Sequence, residues 1–120
     1  MAERPYTITT KPDILGFERV DVYQWADLQS GDTGAPLELP AYADRSVEIG
    51  GDFGLGGTVA IEGSLGGTVY HALRDPGLDP RSKTSGGLWS ILEAVRWIRP
   101  HVTAGNGTTS ITCWILLRKA

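Results

Sequence analysis

Glycine and proline punctuate this chain so closely that little room is left between them for a long helix. Sixteen Gly and seven Pro are spread over 120 residues, and between them the apolar residues recur at spacing two more often than at three and four. Spacing two is the period of a strand that buries one face. The pattern predicts a single all-β domain of six to seven mostly antiparallel strands, folded as a β-sandwich or a partly closed barrel.

The strands can be placed from their alternation. Glu18 to Trp25 sets Val20, Val22 and Gln24 on one face and Arg19, Asp21, Tyr23 and Trp25 on the other. Arg45–Ile49, Thr58–Gly63 and Thr68–Leu73, joined by the glycine-rich turns at 50–57 and 64–67, are expected to form a three-stranded meander. Leu88 to Ile98 reads as one strand ending at Arg99-Pro100. Gly105-Asn106-Gly107, between His101-Val102-Thr103 and the apolar run 108–117, carries the strongest hairpin signal in the chain. The second strand of that pair is apolar on both faces toward its end, so it is expected between two layers or under a subunit contact. Residues 26–43 and 74–87 are dense in turn formers and predict two long loops. Residues 1–17 read as an extended N-terminal arm and 18–120 as the β domain, with Tyr6–Thr10 polar enough for an edge strand.

Length and charge narrow the classes. A chain of 120 residues buries roughly 65% of its unfolded surface on folding, enough for a core without disulfides or metals. The single cysteine, Cys113, fits no disulfide framework and reads as a packed thiol. Eleven basic against fourteen acidic residues give a net charge of −3, so a nucleic-acid partner is not expected. No apolar run is long enough for a membrane helix, and the opening Met1-Ala2-Glu3-Arg4-Pro5 has no charged-then-apolar leader, so neither a span nor a signal peptide is expected.

Residues that carry chemistry are scattered. The string Gly51-Asp52-Phe53-Gly54-Leu55-Gly56-Gly57 lacks the Lys-Ser/Thr of a phosphate loop and leads into a strand, so it reads as a turn. His71 and His101 are the only histidines, and neither a zinc site nor a nucleophile elbow is legible. Asp27/Asp32 and Asp75/Asp79 sit in loops without calcium-loop spacing and read as solvated charge. Asn106-Gly107-Thr108 matches a glycosylation pattern but reads as a turn. No enzyme activity, cofactor or metal is expected. Four tryptophans, Trp25, Trp89, Trp97 and Trp114, exceed what a small core usually needs, and aromatic residues are enriched where a surface packs and its edge stays wet. Trp97 and Trp114 read as core or interface anchors, whereas Trp25 and Trp89 border the long loops. The candidates for intermolecular contact are Tyr6 and Ile8 in the arm, Trp25, Tyr42 and Trp89 beside the loops, and Trp97.

Four stretches carry a family resemblance: Trp25-Ala26-Asp27-Leu28-Gln29-Ser30-Gly31-Asp32-Thr33-Gly34-Ala35-Pro36, Tyr42-Ala43-Asp44-Arg45-Ser46-Val47, Gly57-Thr58-Val59-Ala60-Ile61-Glu62-Gly63-Ser64, and Ile98-Arg99-Pro100-His101-Val102-Thr103-Ala104-Gly105-Asn106-Gly107-Thr108-Thr109-Ser110. Together, over about residues 22 to 118, they resemble the head decoration, or capsid cement, proteins of tailed bacteriophages. The resemblance implies a virion structural protein on the capsid surface, made in the host bacterial cytoplasm. It would bind the major capsid protein and itself, as a homotrimer at lattice three-fold axes, without an active site. Residues 2–12 would then be free to add a strand to a neighbouring sheet. Two rivals share the architecture: a tail-tube, tail-terminator or connector subunit, and a carbohydrate-binding module using Trp25, Tyr42 and Trp89.

Overall fold

A computed structural model of the chain describes residues 2–12, 19–39, 42–74, 82–91 and 93–119, with the backbone alone described at 10–12, 19–20, 42–44, 82 and 118–119. Among these residues there is no helix. Twelve strand segments occur: β1 Glu3–Arg4, β2 Thr7–Pro12, β3 Arg19–Leu28, β4 Thr33–Gly34, β5 Leu37–Glu38, β6 Tyr42–Asp52, β7 Thr58–Ser64, β8 His71–Ala72, β9 Ser82–Lys83, β10 Gly87–Ser90, β11 Trp97–Ala104 and β12 Ser110–Lys119. They form two sheets packed as a β-sandwich, not a closed barrel. The larger sheet runs β1-β4-β11-β7-β8, with β5 also on β11 and β9 also on β7; the smaller runs β10-β6-β12-β3-β2. Only the β1–β4 pairing is parallel.

The alternation in β3 holds: Trp25 is buried and Tyr23 faces the core, while Val22 and Gln24 face the other way. The core interleaves Trp25, Leu28, Val47, Ile49, Ile111, Cys113, Ile115 and Leu117 of the smaller sheet with Val59, Ile61, Ile98 and Val102 of the larger. In β12 burial falls on every second residue, Ile111 to Leu117, because the pleat sends alternate side chains to opposite faces. Between Trp25 and Leu28 the ladder slips, and Asp27 adopts a left-handed φ of 55°. The slip lets Trp25 and Leu28, an odd number of residues apart, both point inward.

Pairing departs from the expected order in three places. The meander does not form: β6 lies in the smaller sheet between β10 and β12, whereas β7 and β8 lie in the larger. The Asn-Gly turn is likewise no hairpin, since β11 and β12 belong to different sheets. Both turns cross the sandwich, which lets each flanking strand bury its apolar face against the opposite layer. The crossings touch: Thr109 Oγ1 donates to the Phe53 carbonyl at 3.0 Å, and a Cβ on Gly54 would lie 2.3 Å from Asn106 Oδ1. Third, the segment 88–98 is two strands, not one. β10 ends at Ser90 on β6, and β11 begins at Trp97 and runs through Pro100 to Ala104. Pro100 is buried there against Gly34, where a Cβ would stand 2.6 Å from the proline ring and from Trp25.

The loop expected at 26–43 is partly sheet, with β4 and β5 both on β11 and Leu37 in the core. Residues 75–81, within the second expected loop, lie outside the described residues, as do 13–18. The start of the chain is folded back on its own sandwich. β1 joins the larger sheet beside β4, and β2 joins the smaller beside β3, so residues 2–12 supply an edge strand to each layer.

Candidate functional site

The two outer faces of the sandwich differ in chemistry. On the larger sheet Glu62 gathers a polar cluster. Glu62 accepts from Arg99 Nε at 2.9 Å and stands 2.9 Å from His101 Nδ1, and the Arg99 guanidinium lies 3.9 Å from the centre of the Tyr70 ring. Burial raises the Tyr70 phenol above its ordinary value, against the opposing pull of Arg99. Beside this cluster, Leu65 and Val69 rim a cup of about 440 Å³ that His71, Leu73 and Val95 also line.

On the smaller sheet, register alone builds an apolar surface. Side chains opposite one another on paired strands share a face. One row across the sheet therefore reads Leu88, Glu48, Trp114, Gln24, Thr7, and the next reads Ser90, Ser46, Leu116, Val22, Thr9. Leu88, Trp114, Leu116 and Val22 line a groove of about 350 Å³ with Ser46 and Glu48. Leu88 is 72% exposed, and the Trp114 ring passes 3.8 Å from where a Cβ of Gly50 would stand. Glu48 is the one charged side chain in these two rows. A half-exposed Trp ringed by aliphatic side chains and a single carboxylate is the composition of a contact surface.

The residues singled out in the sequence are dispersed over the molecule. Trp25 is fully buried, so it offers no surface to a partner, and its indole Nε1 donates to the Ala35 carbonyl at 3.1 Å. It faces inward because it shares the β3 face of Tyr23. Tyr6 closes that end of the core edge-on, with ring centres 5.3 Å from Tyr23 and 5.5 Å from Trp25. Ile8 sits opposite Tyr23 on the edge strand and is 53% exposed. Tyr42 opens β6 opposite Lys119, with its side chain outside the described residues. Trp89 packs against the core from the inner face of β10, and Lys83 Nζ stands 5.0 Å from its ring centre. Its neighbour Leu88 is the exposed one. Trp97 is half-buried on the larger sheet, where a Cβ on Gly67 would be 2.9 Å from its Nε1. Of the tryptophans, Trp114 is the one on the apolar outer face. The signal for it was the run apolar on both faces in β12, of which the inner half is core and the outer half is this surface.

Cys113 is fully buried, and burial pushes its thiol far above the ordinary range, so thiolate does not form near neutral pH. Among the described residues no group of His, Cys, Asp and Glu is disposed to hold a metal ion.

No protein-family model and no curated protein sequence matches the chain. Among solved structures its fold is similar to the SPBc2 prophage-derived protein YomS, with a TM-score of 0.61 and 13% sequence identity over 83% of this chain and 95% of that one.

Proposed function

We propose that this chain is a structural protein of a tailed-phage virion that binds the outside of the capsid, as a trimer, and stabilises the lattice of the major capsid protein. The observation that carries the reading is the apolar groove that runs across the strands of the smaller sheet. The outer face of the larger sheet carries the Glu62 cluster, while that of the smaller sheet presents Val22, Leu88, Trp114 and Leu116 around Glu48. A protein that cements a lattice holds its neighbours by burying apolar and aromatic surface and needs no reacting groups. The fold's likeness to a prophage-derived protein supports a phage origin. The carbohydrate reading loses Trp25, which lies in the core.

Light scattering of the purified protein and co-sedimentation with capsids lacking it test the proposal. A trimer that sediments at a stoichiometry fixed by the lattice is expected, and Leu88→Arg should abolish sedimentation while the variant melts like the parent. A hexameric or dodecameric ring indifferent to capsids would move the assignment to the tail or connector. A monomer that binds neither capsid nor tail would overturn it.

A further inference from the structure

Asn106 is the only asparagine in the sequence, and glycine follows it. It sits at the tip of the crossing from β11 to β12, exposed, with Gly107 and Thr108 also exposed. Its side-chain carbonyl is held by two donors from one residue: Thr108 N–H reaches Oδ1 at 3.1 Å and Thr108 Oγ1 at 2.8 Å. The Asn106 backbone is fixed as well, by donation from its N–H to Thr109 Oγ1 at 2.9 Å and from Thr109 N–H to its carbonyl at 3.1 Å. Thr109 is 2% exposed, and its Oγ1 stands 3.0 Å from the Phe53 carbonyl in the other crossing and 3.4 Å from Asn106 Oδ1. Gly107 has no heavy atom within 4 Å of the place a Cβ would occupy. The Cβ side of Gly107 is therefore open, and the residue is exposed.

We propose that Asn106 is a site of spontaneous deamidation that the fold promotes. The Gly107 nitrogen attacks Asn106 Cγ, forming a C–N bond. Negative charge develops on Oδ1, where the two Thr108 donors already point, and such pre-aimed donors lower the cost of that charge. The intermediate collapses by breaking the bond from Cγ to the side-chain nitrogen. The proton from Gly107 N leaves with it, and ammonia departs. The resulting five-membered imide is opened by water at either carbonyl, giving aspartate or, with the main chain routed through Cγ, isoaspartate. Holding electrophile and nucleophile in one turn removes much of the entropic cost of ring closure. Isoaspartate lengthens the backbone between β11 and β12 and draws Thr109 away from Phe53. Aspartate adds a charge to a turn that stands against Gly54, whose N–H is already held by Asp52 at 2.8 Å. The residue is thus a clock that loosens one end of the sandwich with age.

Intact-mass measurement reads the reaction directly, because the exchange of NH2 for OH has a single asparagine at which to occur. The folded protein and the same chain in guanidinium are incubated in mildly alkaline buffer, and isoaspartate is mapped with an isoaspartyl methyltransferase. The folded protein should convert at least as fast as the denatured chain. Thr108→Val should slow the folded reaction about tenfold and leave the denatured one unchanged, Thr108→Ser should restore the rate, and Gly107→Ala should slow both. A folded protein that converts more slowly than its denatured chain would overturn the proposal. So would a folded Thr108→Val that keeps the parent rate.

Discussion

Asp32 holds Arg4 by an ion pair of 2.9 Å, and the carboxylate that makes it is only 5% exposed. The same carboxylate accepts the N–H of Ala2 at 3.1 Å and of Gln29 at 2.9 Å. Burial by itself raises this carboxyl, but the donors from Gln29, Arg4 and Ala2 outweigh burial and hold it below the ordinary carboxylate value. Its contribution to stability is therefore fully present above the unfolded carboxyl value, near pH 4, and is lost as pH falls through the lower folded value. Asp32→Ala should cost about 2 kcal/mol in urea unfolding and abolish amide-exchange protection of β1 first. Asp32→Asn should remove this residue's acid dependence, read as a smaller drop in melting temperature on acidification.

The two faces of the smaller sheet should respond differently to truncation, at Ile115 of β12 on the inside and at Leu88 of β10 on the outside. Ile115→Ala should cost about 3 kcal/mol, because the inner layer closes only partly on the space left behind. Leu88→Ala, on the row beside Trp114, should stay within about 0.5 kcal/mol of the parent. Paired denaturation curves measure both, and equal costs would mean that the smaller sheet has both faces covered.

Glycines of the first crossing separate strain from crowding. Gly56 has φ of 74° and open space around it, so Gly56→Ala should cost about 1 kcal/mol for the left-handed backbone alone. Gly54 has φ of 60° and Asn106 Oδ1 at 2.3 Å from an added Cβ, so Gly54→Ala should cost more and displace the second crossing. Comparison of the two melting temperatures, with NMR shifts of Asn106 to Thr109, checks the difference.

Asp27 carries the same geometry without being glycine, and its Oδ1 accepts from Ser110 Oγ at 2.8 Å. Asp27→Val should destabilise by about 2 kcal/mol, since a β-branched side chain tolerates a left-handed backbone least. Asp27→Asn should be near neutral. A thermal melt of each variant decides it.

Much of this architecture was legible because spacing two survives in the chain. The faces of β3 follow from Asp21, Tyr23 and Trp25 alternating with Val22 and Gln24, and the double-sided character of β12 follows from its unbroken apolar run. Partner choice was not legible. Alternation says which side chains share a face and nothing about which strand lies alongside, so the glycine turns at 50–57 and 105–107 read as hairpins when each leads across between layers. Trp25 was misplaced because a loop was expected from residue 26 onward. The ladder slip at Asp27 instead carries the strand on to Leu28 and seals Trp25 beneath Ala35 and Gly34. The apolar outer face of the smaller sheet needed three-dimensional register, since Val22, Leu88 and Trp114 lie on three different strands.

β12 lies between β6 and β3, at the centre of the smaller sheet, yet spans Ser110–Lys119. During synthesis, then, β3 and β6 leave the ribosome long before the strand that joins them exists. Until residues 110–119 emerge, both present unpaired edges and the inward faces of Trp25, Val47 and Ile49. Closure of this sheet waits on residues 110–119, and a chaperone acting before they emerge would meet a half-sheet with two sticky margins.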